Sequence, residues 1–152
     1  MKIAVISDIH GNIEALSAVL EDIKKNDCDK IFCLGDYAMA GPEPSDTINK
    51  FIELSRKIDI TMIQGNTDLM IADYSEDLFE ILKDNAPVMA NALKNDVHIL
   101  SKEQKEFLKN LPGQAEIEED GVKILLVHGS PRKNNENILP DTPLEEVEKM
   151  VE

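Results

Sequence analysis

At 152 residues the chain has the length of one domain, and residues 1–152 are expected to form a single unit. Its 30 acidic and 16 basic residues leave a formal charge of −14, which excludes a protein that grips nucleic acid through its phosphates, because that requires clustered Lys and Arg. The 42% hydrophobic content excludes wholesale disorder, and apolar runs such as Ile3 to Ile6 and Val122 to Val127 are too short to cross a bilayer. Met1-Lys2 leads straight into a strand-like segment without a signal h-region, so a cytoplasmic protein with no membrane contact is expected.

Residues 2–7 form a short apolar run closed by Asp8, suited to a parallel strand buried on both faces. Asn12 caps a predicted helix in which Ile13, Leu16, Val19, Leu20 and Ile23 recur at helical spacing, ending near Asn26. A second strand is expected over 30–35, with Cys33 as a reduced, packed thiol; the CxxxxC spacing of Cys28 and Cys33 matches no common zinc or redox motif. Pro42 and Pro44 break the chain, Ser45 starts a helix carrying Ile48, Phe51, Ile52 and Leu54, and a third strand covers 59–64. This β-α-β-α-β order predicts a parallel sheet with helices packed on it. Further helices are expected over 68–83, 87–95 and 101–110, the last opened by a Ser101/Gln104 capping box. Residues 114–119 and 122–127 read as a hairpin turned at Asp120-Gly121. An Asn- and Pro-rich loop from Gly129 to Asp141 leads to a short acidic helix over 143–152, capped by Thr142 or Asp141.

Polar residues stand where each strand stops: Asp8 and His10, then Gly35-Asp36, Gly65-Asn66 and His128-Gly129. Ligands of open parallel sheets bind at the carboxyl ends of the strands. Asp8 and Asp36 lie 28 residues apart and Asp36 and Asn66 lie 30 apart, each one β-α-β repeat, so the chain returns to the same rim. Asp8 and His10, two apart in extended chain, are expected to point to one side. Two carboxylates, two imidazoles and one amide form a mixed oxygen and nitrogen donor set that suits Mn, Fe, Zn, Ni or Co better than calcium or a thiolate zinc site. Gly11, Gly35, Gly65 and Gly129 are expected to let a tetrahedral anion approach the main chain. Each piece alone is also what a turn, a helix cap or a core histidine looks like; the ordered set is what carries the reading.

Asp-x-His in DIHGN (8–12), Gly-Asp in GDYA (35–38), GNTD (65–68) and HGSP (128–131) resemble, in order, the first four blocks of the calcineurin-like metallophosphoesterases, and GDYAMAGPEP is similar to bacterial phosphodiesterase-like members. The resemblance covers essentially the whole chain. It implies an αββα sandwich and hydrolysis of small phosphodiesters or phosphomonoesters by a metal-bridging hydroxide. One divalent ion would be held by Asp8, His10 and Asp36, and a second by Asp36 as bridge, Asn66 and His128. Asp36 and Asn66 would serve catalysis, with Asn12 and Thr67 beside the substrate phosphate.

Two departures stand out. Thr67 occupies the place of a histidine that many members use toward the leaving group, and the family's closing Gly-His-x-His block occurs nowhere in the 152 residues. The expected sandwich is therefore C-terminally incomplete and the expected activity weak. A non-catalytic interaction subunit, or the N-terminal half of a split enzyme, is the alternative, with a homo-oligomer or a second chain supplying the missing strands. Arg132 is a candidate phosphate contact or a solvated loop arginine, and His98 is expected to serve the surface or helix packing.

Overall fold

The structure, a computed structural model, describes residues 1–151; Glu152, assigned to the last helix from sequence, lies outside them. In chain order the elements are β1 (Ile3–Ile6), α1 (Ile13–Lys25), β2 (Lys30–Cys33), α2 (Pro44–Ser55), β3 (Ile60–Met62), α3 (Asn66–Ala72), α4 (Glu76–Asn85), α5 (Pro87–Ile99), α6 (Lys102–Lys109), β4 (Gln114–Glu119), β5 (Val122–Val127) and α7 (Leu144–Val151). The first three strands form a parallel sheet in the order β1-β2-β3, with Ile3 opposite Lys30 and Ile31 opposite Ile60. The hairpin β4-β5 is antiparallel and turns tightly at Asp120-Gly121, pairing Glu119 with Val122.

Alternation along β2 decides the layering. Ile31 and Cys33 join Leu16, Ile48 and Phe51 in the main core on the helical side, while Phe32 points the other way and meets Ile63 and Leu126. Ile117 and Ile124 of the hairpin pack on that second cluster, giving the order helices, parallel sheet, hairpin sheet. Burial pushes the Cys33 thiol up to about 12, which keeps it protonated. The hairpin leaves the first strand partly uncovered: Val5, two residues from Ile3 and on the same face, is 59% exposed.

Several boundaries differ from the sequence reading for physical reasons. The helix expected over 68–83 is two helices, because Ser75 starts a new one by accepting a hydrogen bond from Leu78 N at 3.1 Å. The helix expected over 87–95 runs on to Ile99, which places the exposed His98 in its last turn. Pro44, read as a breaker, is the first residue of α2, where its missing N–H costs nothing. The third strand is Ile60–Met62 rather than 59–64. Thr142 does not cap α7 as expected; its hydroxyl accepts from Leu139 N at 2.8 Å in the preceding turn, and Pro143 O accepts the first amides, from Glu146 and Val147.

Candidate metal centre

Three loops meet at the carboxyl ends of β1, β2 and β3, and main-chain hydrogen bonds hold them together. Asp8 N donates to Gly35 O at 3.1 Å, His10 N to Asp36 O at 3.0 Å and Gly11 N to Tyr37 O at 2.8 Å. Asp8 and His10 do not share a side through extended backbone, as the sequence reading held; both are left-handed, at φ 57° and 49°, and Asp36 is too, at φ 58°. Non-glycine residues in this region store strain of order 1–3 kcal/mol each and persist where the surroundings over-determine them. Gly35 (φ 99°) and Gly65 serve a purpose other than anion approach: a Cβ on Gly35 would lie 2.3 Å from Gly65 N, and one on Gly65 would lie 2.4 Å from Asp36 N. Only two bare backbones can cross here.

A buried carboxylate, Asp68, ties the second loop to the third. Its Oδ2 accepts from Asp36 N (2.8 Å) and Gly65 N (2.9 Å), and its Oδ1 accepts from Tyr37 N (3.0 Å), at 0% exposure. Burial pushes its carboxyl up to about 6, opposed by these N–H donors and reinforced by the charge of Asp36. Asp96 on α5 does a similar job further along. It is 1% exposed and accepts from Met39 N at 2.8 Å, fixing Met39 and Ala40, at φ 74° and 70°.

Into this frame project the five residues singled out from sequence. His10 Nδ1 lies 3.2 Å from Ala38 O and 3.1 Å from Met39 O, and His128 Nδ1 lies 2.6 Å from Leu34 O. Carbonyls only accept, so each Nδ1 carries the proton and each Nε2 presents its lone pair to the site. Asp36, 3% exposed, stands between the two rings: Oδ2 is 3.7 Å from His10 Nε2 and Oδ1 is 3.5 Å from His128 Nε2. Asp8 Oδ1 is 3.6 Å from His10 Nε2, and donor atoms of Asp8, His10 and Asp36 all lie within 4.8 Å of one another. On the other side, Asn66 Oδ1 and His128 Nε2 face each other at 3.0 Å, two acceptors that a shared cation would reconcile. The donor set thus fits divalent cations held through nitrogen and oxygen ligands. A cavity of about 530 Å³ opens over it, lined by Asp8, Asn66, His128, Asn134, Asn135 and Glu136 among others, with no Lys or Arg among its lining residues.

A family model for the calcineurin-like phosphoesterase superfamily domain matches residues 1–151. The chain belongs to this superfamily. An uncharacterized protein of Methanocaldococcus jannaschii is 37% identical over 142 residues, covering 91% of this chain and 54% of the relative. Among solved structures, a hypothetical protein from Pyrococcus horikoshii superposes with a TM-score of 0.84 at 27% identity, covering 97% of this chain and 63% of that one. A metallophosphoesterase from Sphaerobacter thermophilus superposes with a TM-score of 0.68 at 32% identity, over 91% and 51% of the two chains. The fold is that of the metallophosphoesterases, and this chain spans about half the length of the curated relative it matches.

Not every residue expected at the substrate lies open to the cleft of this superfamily member. Asn12 Oδ1 accepts from Ala15 N at 2.9 Å as the cap of α1. Thr67 is 2% exposed; its hydroxyl faces Ala38 O at 3.5 Å while its backbone N–H donates to Asp36 Oδ1 at 2.9 Å, so the contact to Asp36 comes from main chain. The Arg132 guanidinium is held by Glu136 at 2.7 Å and Glu146 at 3.5 Å, and Arg132 is not among the residues lining the cavity. Asp68 and Asp96 were given no role from sequence. Asp68 stands at the third position of a helix after Gly65, which signals a cap but not its reach to another loop; Asp96 has no local signal at all.

Proposed function

We propose that the chain is a metal-dependent phosphoesterase acting on small phosphodiesters or phosphomonoesters, through Asp8, His10, Asp36, Asn66 and His128, with residues 1–152 as the N-terminal part of one such domain. The observation that carries this is Asp36, a buried carboxylate that offers one oxygen to each of two imidazole-bearing donor groups. Two bound divalent ions, Mn, Fe, Zn or Ni, would supply a water of lowered pKa and charge neutralisation for the phosphate. The chain's own part is to hold both Nε2 lone pairs inward by the Nδ1 contacts, to anchor Asp36 by Thr67 N–H, and to bring Asn66 Oδ1 against His128. Since no Lys or Arg among the described residues lines the cavity, a phosphate there needs the cations to balance Asp8 and Asp36. The free thiols Cys28 and Cys33 favour a reducing, cytoplasmic setting.

Hydrolysis of bis(4-nitrophenyl) phosphate is the direct test. It is expected to vanish after chelation and to return with Mn. No turnover with any of the four metals would overturn the reading.

The uncovered Val5 on the edge strand β1 favours a partner there, a second copy of this chain. Sedimentation equilibrium is expected to show a dimer or larger species. A stable monomer that holds its metals tightly would count against it.

A further inference from the structure

A second recess, of about 370 Å³, opens beside His10, and its lining is wholly apolar apart from that ring: Ala40, backed by the 1% exposed Met39, is joined by Ala86, Val88, Met89 and Ala92 of the α4–α5 junction and α5. Two observations mark it as built. Val88 is 84% exposed and Met89 38% exposed at the start of α5, where an apolar side chain gains nothing from the fold itself. The facing wall is held in a strained form, since Met39 and Ala40 are both left-handed and Asp96 of the same α5 fixes Met39 N from within the core. One helix thus supplies one side of the recess and pins the backbone of the other.

We propose that this recess receives the uncharged aromatic ester group of a phosphoester substrate while its phosphate lies at the neighbouring metal centre. The inference rests on the phosphoesterase reading and narrows it to a substrate class. His10 is common to the candidate metal group and the recess, so a group seated against Ala40 and Val88 lies beside a candidate metal ligand. With no polar lining to replace lost hydration, a sugar hydroxyl or a charged group would be penalised there, whereas an aromatic ring gains from burial.

The experiment compares phenylphosphonate with methylphosphonate binding to the Mn-loaded full chain by calorimetry, and follows the Ala40 and Met89 methyl resonances. Phenylphosphonate is expected to bind about 10-fold more tightly, the low end of what burying a ring gives, and it alone should shift both methyls. Val88→Asp, at an exposed position that tolerates the change, should bring the affinity ratio toward one. Ile81→Asp, exposed on α4 and outside the recess, should leave the ratio as it was. Equal binding of the two phosphonates, or methyls that do not respond, would overturn the inference and leave the phosphoesterase reading standing. Failure of both phosphonates to bind the metal-loaded chain would overturn the two together.

Discussion

Asp36→Asn is expected to weaken divalent-cation binding by at least about 100-fold, because even a change behind the ligands costs 10–100-fold and this one would remove a proposed ligand. The asparagine keeps one acceptor oxygen where two are in use. If that oxygen continues to accept from Thr67 N, the amide NH₂ points at His10 Nε2; reversed, it opposes the Thr67 N–H. A charge facing both Nε2 lone pairs disappears either way. The substitution also has a signature that general damage lacks. In chelator the variant should be as stable as the parent or more so, since Asp36 is close to Asp8 and Asp68 and adds a negative charge to a centre without cations. The gain in stability on adding Mn, about 2.7 kcal/mol at 100 times the dissociation constant, should be missing. Thermal melts with and without Mn, beside metal analysis, check both halves. Full metal occupancy in Asp36→Asn would remove Asp36 from the site.

Asp68→Ala is expected to cost about 3–5 kcal/mol, a large part of the 5–15 kcal/mol that holds a domain together. Three backbone N–H groups, of Asp36, Tyr37 and Gly65, lose their acceptor at once, in a place that water does not reach. Asp68→Asn should cost less, about 1–3 kcal/mol, because the carbonyl oxygen still serves Asp36 N and Gly65 N while Tyr37 N meets an NH₂. Urea unfolding in chelator measures this without interference from metal loss. A Asp68→Ala variant within about 1 kcal/mol of the parent would show that the loops hold by other means.

The layers were legible because they rest on local rules. β-branched runs ending in Asp8 and Gly35, the Asn12 cap, the Ser101/Gln104 box and the Asp120-Gly121 turn each fix a boundary within a few residues of chain. The break between α3 and α4 was also within reach, since Ser75 is a good cap followed by Glu76 and Asp77. What sequence does not carry is closure between distant loops. The inward turn of Asp8 and His10 depends on hydrogen bonds to Gly35, Asp36 and Tyr37, and no periodicity encodes a left-handed residue. Asp96 reads as an ordinary polar residue just past the helix expected over 87–95 until the fold brings Met39 N to it. Thr67 shows the opposite error: a motif position suggested substrate chemistry, but packing buries the side chain and leaves the backbone N–H to act.

The crossing of the Gly35 and Gly65 backbones has a consequence for the order in which the molecule is made. On the ribosome, Asp8 and His10 emerge early, yet the carbonyls that receive their amides belong to residues 35–37, and that second loop is in turn held by Asp68. Neither loop can keep its left-handed turn alone, so a nascent chain shorter than about 70 residues has the ligands without the geometry. Stray cations would find only an isolated Asp-x-His segment during synthesis, and the candidate donors would converge after the third strand and α3 have docked. His128, just past β5 and 60 residues after Asp68, then closes the far side, so the candidate donor set is complete only once the hairpin has docked.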